Sequence, residues 1–183
     1  MGKKAKWSWT SALIGAASAT AAYALVSAKP KDPAFHLASI GLTKFNLNFP
    51  VLDVELVLTV HVTNPNIVPI HYDSTIMSIS YDGSLLGSAL VHSGSQPARS
   101  CQLLKLPARL DAIELAHHGK KFLADVKRRE MELDAAVDIA GDAKLLWWNH
   151  RFKVHVDSNI VVDPVFLEVV DQENKAQLQL LNA

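Results

Sequence analysis

A strict alternation of apolar and polar residues between Asp53 and Thr63 limits what this chain can fold into. The odd positions of the segment are mostly polar, while every even position is aliphatic: Val54, Leu56, Leu58, Val60 and Val62. Because alternate side chains of a β-strand point to opposite faces of a sheet, the pattern predicts a strand with one buried face. The same period returns in Met131–Ile139, so we expect a mainly β domain.

Turn residues separate further strands. Asp82-Gly83 lies between Ile76–Tyr81 and Ser84–Ala89 and predicts a tight hairpin, because both turn residues tolerate positive φ. Gly141-Asp142 predicts a turn before a second long run, Lys144–Asp157. Shorter strands are expected at Phe35–Ile40, Ile67–Tyr72, Arg99–Leu106 and Ile160–Val162, whereas Gln172–Ala183 is expected to fray.

One helix interrupts the strands. Asp111 can cap it, with Glu114 three residues later, and basic residues crowd its second half. We predict a helix from Ala112 to Arg129, with Gly119 weakening its middle by about 1 kcal/mol. Seven or eight antiparallel strands and one helix predict a two-sheet sandwich over residues 29–183.

The first 28 residues have a different character. Trp7–Ala28 contains no charged residue and is long enough, at about 33 Å as a helix, to cross a bilayer core of roughly 30 Å. Trp7, Trp9 and Tyr23 lie towards its ends, where aromatic rings favour the headgroup region. We predict a single-pass membrane anchor in contact with lipids, on a membrane that the sequence does not specify.

Other interpretations of this segment stay open. A secretory signal cleaved after Ala28, an organellar transit peptide and a soluble protein are the alternatives. Ser11, Gly15 and Ala19 share one helix face, which permits close packing of two copies in lipid, although an Ala-rich helix produces such spacing by chance.

Composition and motifs exclude several functions. The 18 basic and 18 acidic residues cancel, so no nucleic-acid partner is expected. No phosphate loop, nucleophile elbow or metal motif occurs, and we assign no catalytic residue, metal or cofactor. Cys101 is the only cysteine; pairing with a His could imitate a thiol nucleophile, but a structural role is favoured.

Two surface or turn motifs remain. Asn64-Pro65-Asn66 predicts a rigid turn that ends a strand, with a structural purpose. Trp147 shares an outer strand face with basic residues if the even positions after it are buried, and it would then contact a membrane or a partner protein. Alternatively the helix covers Trp147, or a bulge near His150 exchanges the two faces of the strand; cover by protein is the favoured interpretation.

An ordered series of motifs resembles a known family. The series runs from Leu56–Asn66 (LVLTVHVTNPN) through Ile70-His71-Tyr72 and Ser80-Tyr81-Asp82-Gly83 to Leu86-Gly87. It is similar to the late embryogenesis abundant group 2 proteins, which carry the water stress and hypersensitive response domain and include plant hairpin-induced-like proteins. The resemblance covers about Phe35–Val162.

The resemblance implies a fibronectin/immunoglobulin-like β-sandwich with a helix, in a plant protein of desiccation or defence responses. It implies no catalytic residue, and it gives a structural role to Asn64, Pro65, Asn66, Tyr81, Gly83 and Gly87. The chain lacks the long proline-rich leader and later cysteines of the hairpin-induced-like members, which weakens a plasma-membrane defence role.

Two functions follow as hypotheses. The preferred one is a non-enzymatic, membrane-tethered protective or interaction domain for stress responses, with an unidentified protein partner. The alternative is a lipid-binding or lipid-transfer module with an apolar groove in the sandwich.

Overall fold

The structure is a computed structural model that describes residues 31–48, 51–111, 113, 117–145 and 148–181. Its strands are β1 (Ala34–Asn48), β2 (Val51–Asn64), β3 (Ile70–Tyr72), β4 (Thr75–Tyr81), β5 (Ser84–Val91), β6 (Gly94–Gln96), β7 (Ser100–Asp111), β8 (Met131–Leu145), β9 (Trp148–Asp163) and β10 (Glu168–Leu181). The helix α1 spans Gly119–Arg128 and lies between β7 and β8.

The predicted alternation is observed in the long strands. In β2 the even positions Leu56, Leu58 and Val62 are buried, and in β9 the even positions Phe152, Val154 and Val156 are buried. The apolar side chains of one face therefore build the core, as the period of two predicted.

The strands form one curled antiparallel sheet. The hydrogen-bonded order β1-β2-β7-β5-β4-β8 continues through β9 to β10, and the short pair β3 and β6 joins the far end of β8. The expectation of a fibronectin/immunoglobulin-like sandwich of two separate sheets is therefore corrected to a single half-barrel. The physical reason is strand length, because β8 pairs with β4 and β3 along one edge and with β9 along the other.

The β4–β5 hairpin turns where it was predicted. Asp82 has φ 53° and Gly83 has φ 77°, the left-handed pair that matches the twist of the flanking strands. Tyr81 and Ser84 form the last pair of the ladder before the turn.

The predicted turn at Gly141-Asp142 is wrong. Strand β8 continues to Leu145, and Gly141 pairs with Phe152 of β9 and with Tyr72 of β3. An added Cβ at Gly141 would overlap the carbonyl oxygen of His71. The glycine is therefore needed where β8 and β3 approach closely, and not for a turn.

The end of the helix agrees with the prediction to within one residue, whereas the predicted start at Ala112 lies outside the described residues. Gly119 is the first residue of α1 and does not lie in its middle. Asp111 does bind the following turn, since its Oδ1 accepts a hydrogen bond from Ile113 N at 2.9 Å. Arg129 ends the helix with φ 58°, and the bonds Arg129 N to Val126 O and Glu130 N to Asp125 O complete a Schellman motif.

The fraying expected from Gln172 onward is wrong for the residues up to Leu181. They belong to β10, which pairs with β9 from Glu168 to Leu181 with one register shift between Val169 and Asp171. The inward positions Gln172 and Asn174 are polar, which is why the pattern did not read as a strand.

The predicted membrane anchor, Trp7–Ala28, lies outside the described residues, and the boundary at residue 28 stays a prediction. Among the residues that the structure does describe, no helix is both long and apolar enough to cross a membrane.

We predict that Gly87→Ala destabilises the fold by about 1–3 kcal/mol, because the added methyl group overlaps the backbone of Arg109 and Leu110 on β7. Gly119→Ala is the matched control: its Cβ meets no atom within 4 Å, and we expect a gain of up to about 1 kcal/mol. Urea unfolding of both variants measures this, and equal stabilities would contradict the close approach.

Candidate ligand site

The inside of the curled sheet contains an apolar cavity of about 100 Å³. Aliphatic and aromatic side chains from β1, β2, β4, β5, β7, β8 and β9 line it. The two polar lining residues are Ser158 of β9 and Gln172 of β10. A cavity with such walls stays dry and accepts apolar groups, as engineered cavities of about 150 Å³ bind benzene.

Strands β1 and β10 meet along one side of this cavity, a boundary that we call the seam. Gln172 Oε1 accepts a hydrogen bond from Leu37 N at 2.8 Å, and Asn174 Nδ2 donates to Phe35 O at 2.7 Å. Further along, Leu178 N donates to the carboxylate of Asp32 at 3.1 Å. No backbone ladder joins the described parts of β1 and β10, so side chains close the seam.

The seam meets the cavity at Gln172. This side chain also donates from Nε2 to Asn174 Oδ1 at 2.8 Å, so the two amides support each other. Phe35, Leu37 and Ile40 of β1 line the cavity from the other side of the seam. The cavity is thus covered on this side by one strand edge and a small group of amides.

The Asn64-Pro65-Asn66 motif lies at the end of β2. Asn64 is fully buried; its Nδ2 donates to Val68 O and Pro97 O, and its Oδ1 accepts from Asn66 N at 3.0 Å. Asn66 forms two bonds with the backbone of Lys31, at 2.7 and 2.9 Å. These contacts join the chain before β1 to the turn after β2.

Gln96 is a buried partner of this region that sequence reasoning missed. Its Nε2 donates to Val62 O at 2.6 Å and to Ser100 O at 3.2 Å. Its Oε1 is buried and has no partner among the described residues. Nothing local in the sequence marks Gln96, because Val62 lies 34 residues away.

Tyr81 forms the other buried polar contact. Its ring is 1% exposed, and its hydroxyl donates to Asp125 Oδ2 of α1 at 2.6 Å. Burial and this carboxylate raise the pKa of Tyr81. Burial acts to raise the pKa of Asp125 too, but hydrogen bonds from Tyr81 and Arg128 outweigh it and hold that pKa below its ordinary value.

His118 lies between Asp82 and Ser84, outside the hairpin. Its Nδ1 is 3.1 Å from Asp82 Oδ2, and its Nε2 is 3.1 Å from Ser84 Oγ. A Ser-His-Asp triad has this order of groups. Here Asp82 also accepts a 2.6 Å hydrogen bond from Lys121, so the contacts fasten the hairpin to α1.

The structure places the remaining candidates as follows. Gly83 is in the hairpin turn, and Gly87 is where β5 crosses closest to β7. Cys101 is exposed, with Sγ 3.5 Å from His61 Nδ1. The described residues contain no cluster able to hold a metal ion. The predicted lipid, dimer and surface contacts lie outside the described residues: Trp7, Trp9, Tyr23, Ser11, Gly15, Ala19 and Trp147.

We predict that Tyr81→Phe lowers the free energy of unfolding by about 1–3 kcal/mol at neutral pH, because Asp125 loses a buried donor. Tyr72→Phe is the control, since the partly buried Tyr72 hydroxyl makes no hydrogen bond to the described residues. Urea unfolding at pH 7 compares the two variants.

The same bond predicts a pH dependence. A lowered pKa means that folded Asp125 stays ionised below the ordinary value of about 3.9, so its stabilisation is present above that value and is lost as the pH falls. The loss of stability on acidification should be smaller in Tyr81→Phe than in the unchanged protein. An identical acid profile would contradict this coupling.

A late embryogenesis abundant protein family model (LEA_2) matches residues 59–160. No curated protein sequence matches significantly. A solution structure from Arabidopsis thaliana is similar at 18% identity and TM-score 0.41, covering 84% of this chain and 83% of the other. A crystal structure from Archaeoglobus fulgidus is similar at 15% identity and TM-score 0.39, covering 81% and 99%. Since the family model spans more than half of its length, the chain belongs to the late embryogenesis abundant group 2 family.

Proposed function

We propose that this chain is a non-enzymatic stress-response module that binds a hydrocarbon chain inside its curled sheet. Family membership supports a role related to stress responses in general. The observation that carries the finer proposal is the apolar cavity beside a seam that side chains close.

The walls of the cavity define the ligand class. They carry no charged side chain, and the polar groups are one hydroxyl and one amide. Each methylene group transferred from water into such walls contributes about 0.8 kcal/mol. An alkyl or acyl chain gains from this environment, whereas a sugar, nucleotide or ion would lose its hydration without compensation.

A ligand would enter the cavity through the seam. In its closed form the cavity has room for only a few methylene groups, so a longer chain needs β1 and β10 to separate. Three hydrogen bonds close the described seam, and each contributes about 0.5–1.5 kcal/mol net. Breaking these three bonds therefore costs a few kcal/mol, which burial of several methylene groups offsets.

The hypothesis drawn from the sequence, a membrane-tethered protective domain, is compatible with ligand binding in the cavity. An anchor at Trp7–Ala28 would hold the seam near a bilayer, which is a source of acyl chains. The seam then exchanges hydrocarbon with the lipid, and protection follows from that exchange.

Filling the cavity tests ligand binding. Ala135 of β8 is buried in the cavity wall, so we expect Ala135→Leu to weaken binding of a fluorescent fatty acid at least tenfold, while the protein stays folded. Ala140→Leu adds the same group on the exposed side of the same strand and should bind like the unchanged protein. If Ala135→Leu binds normally, or if native mass spectra and the fluorescent probe detect no binding at all, the proposal is wrong.

Removing the predicted anchor tests the tether. We expect the complete protein to stay with membranes during alkaline carbonate extraction, and the variant lacking Trp7–Ala28 to be released, since it has lost its apolar span. Full retention of the shortened protein in the carbonate pellet would refute the anchor.

A further inference from the structure

One end of the curled sheet concentrates positive charge. This end, which we call the helix end, consists of α1 with Arg129, the Asp82–Gly83 turn and the turn at residues 164–167. Between Gly119 and Arg129 the chain has five basic residues and one acid. Two of the five basic residues are paired: Arg128 with Asp125, which is 2% exposed, and Lys121 with Asp82 of the neighbouring turn. Lys120, Lys127 and Arg129 are exposed, have no ion pair among the described residues, and supply the positive charge of the outer surface.

The outward face of α1 combines cations with an apolar residue. Lys120, Leu123, Ala124 and Lys127 are all exposed, and their spacing of three and four residues puts them on one face of the helix. Leu123 is 62% exposed. The opposite face points inward through Phe122, which packs against the core, and through Asp125.

The turn beside α1 adds an aromatic ring. Phe166 is 58% exposed, and the guanidinium carbon of Arg129 lies 4.9 Å from its ring centroid. Its neighbour Val165 is 50% exposed. Exposed apolar side chains occur elsewhere on the described surface too, such as Ile76 and Leu103, but those of the helix end share it with the cations Lys120, Lys127 and Arg129.

From these observations we infer that the helix end docks on an anionic lipid surface. Lysines and arginines are drawn to negative headgroups, while Leu123, Val165 and Phe166 enter the boundary between headgroups and acyl chains. The apolar residues favour a bilayer over a nucleic acid, because phosphate binding makes no use of them, and the chain as a whole has no basic surplus. This docking depends neither on ligand binding in the cavity nor on the predicted anchor.

A fluorophore on the turn tests the contact directly. In full-length protein with Cys101→Ser, the dye NBD is attached through Phe166→Cys, or through Lys105→Cys on β7 as the control site, which is exposed and away from both α1 and the seam. Both proteins are mixed with vesicles of phosphatidylcholine alone or with phosphatidylserine added. We expect a blue shift of emission at position 166 with phosphatidylserine and none at position 105.

A charge reversal tests the cations. Lys120→Glu with Lys127→Glu should weaken the phosphatidylserine-dependent docking that the dye at position 166 reports at least tenfold, since each lysine near such a surface contributes about fivefold. Lys105→Glu with Lys175→Glu changes the net charge equally at exposed sites away from α1 and should have a much smaller effect. The N-terminal segment is identical in all of these proteins, so it cannot produce the difference.

Each possible outcome either supports docking of the helix end or overturns it. A phosphatidylserine-dependent shift confined to position 166, lost on reversal of Lys120 and Lys127, supports docking. No shift at position 166, equal shifts at both sites, or equal losses in the two charge-reversed proteins would overturn it. Binding of the fluorescent fatty acid is measured separately, so failure of this inference leaves the proposed cavity ligand untouched.

Discussion

The ladder between β8 and β9 is the interaction on which the rest of the fold depends. Every residue from Met131 to Leu145 has a partner on β9, and no register shift interrupts the pairing. Because side chains alternate along both strands, this regular pairing aligns two apolar rows on one face. The opposite edge of β8 pairs with β4 and β3, so β8 connects the strands on its two sides.

The curvature of the sheet arises at other strand pairs. Register shifts occur in the pairs β1–β2, β4–β5 and β9–β10, and each adds a bend and extra twist. These bends bring β1 and β10 together, and among the described residues side chain–backbone hydrogen bonds join them instead of a ladder. The cavity follows from the same geometry, because a curled sheet of this width encloses more space than its aliphatic residues fill.

The sequence predicted the features that depend on neighbouring residues. Alternation identified β2, β8 and the inner face of β9, and two adjacent residues tolerant of positive φ identified the β4–β5 turn. Features that depend on residues distant in the sequence were not predicted. Gly141 resembles a turn residue, yet its role depends on His71, and Asp125 is separated from Tyr81 by 44 positions. Strand β10 was hidden because Gln172 and Asn174 occupy inward positions, where their amides serve the seam.

The seam also has a consequence for self-association. Strands β1 and β10 are long, at 15 and 14 residues, and no ladder joins their described parts, so opening the seam would expose two facing edges whose N–H and C=O groups have no strand partner. Such an edge is a template on which another chain adds as a strand, the first step towards amyloid. The amides of Gln172 and Asn174 therefore do more than cover a cavity, since they occupy Leu37 N and Phe35 O, two backbone groups of β1 that a second copy would otherwise pair with. A chain of this kind has to keep every opening brief, and most of all when water is scarce and copies crowd together.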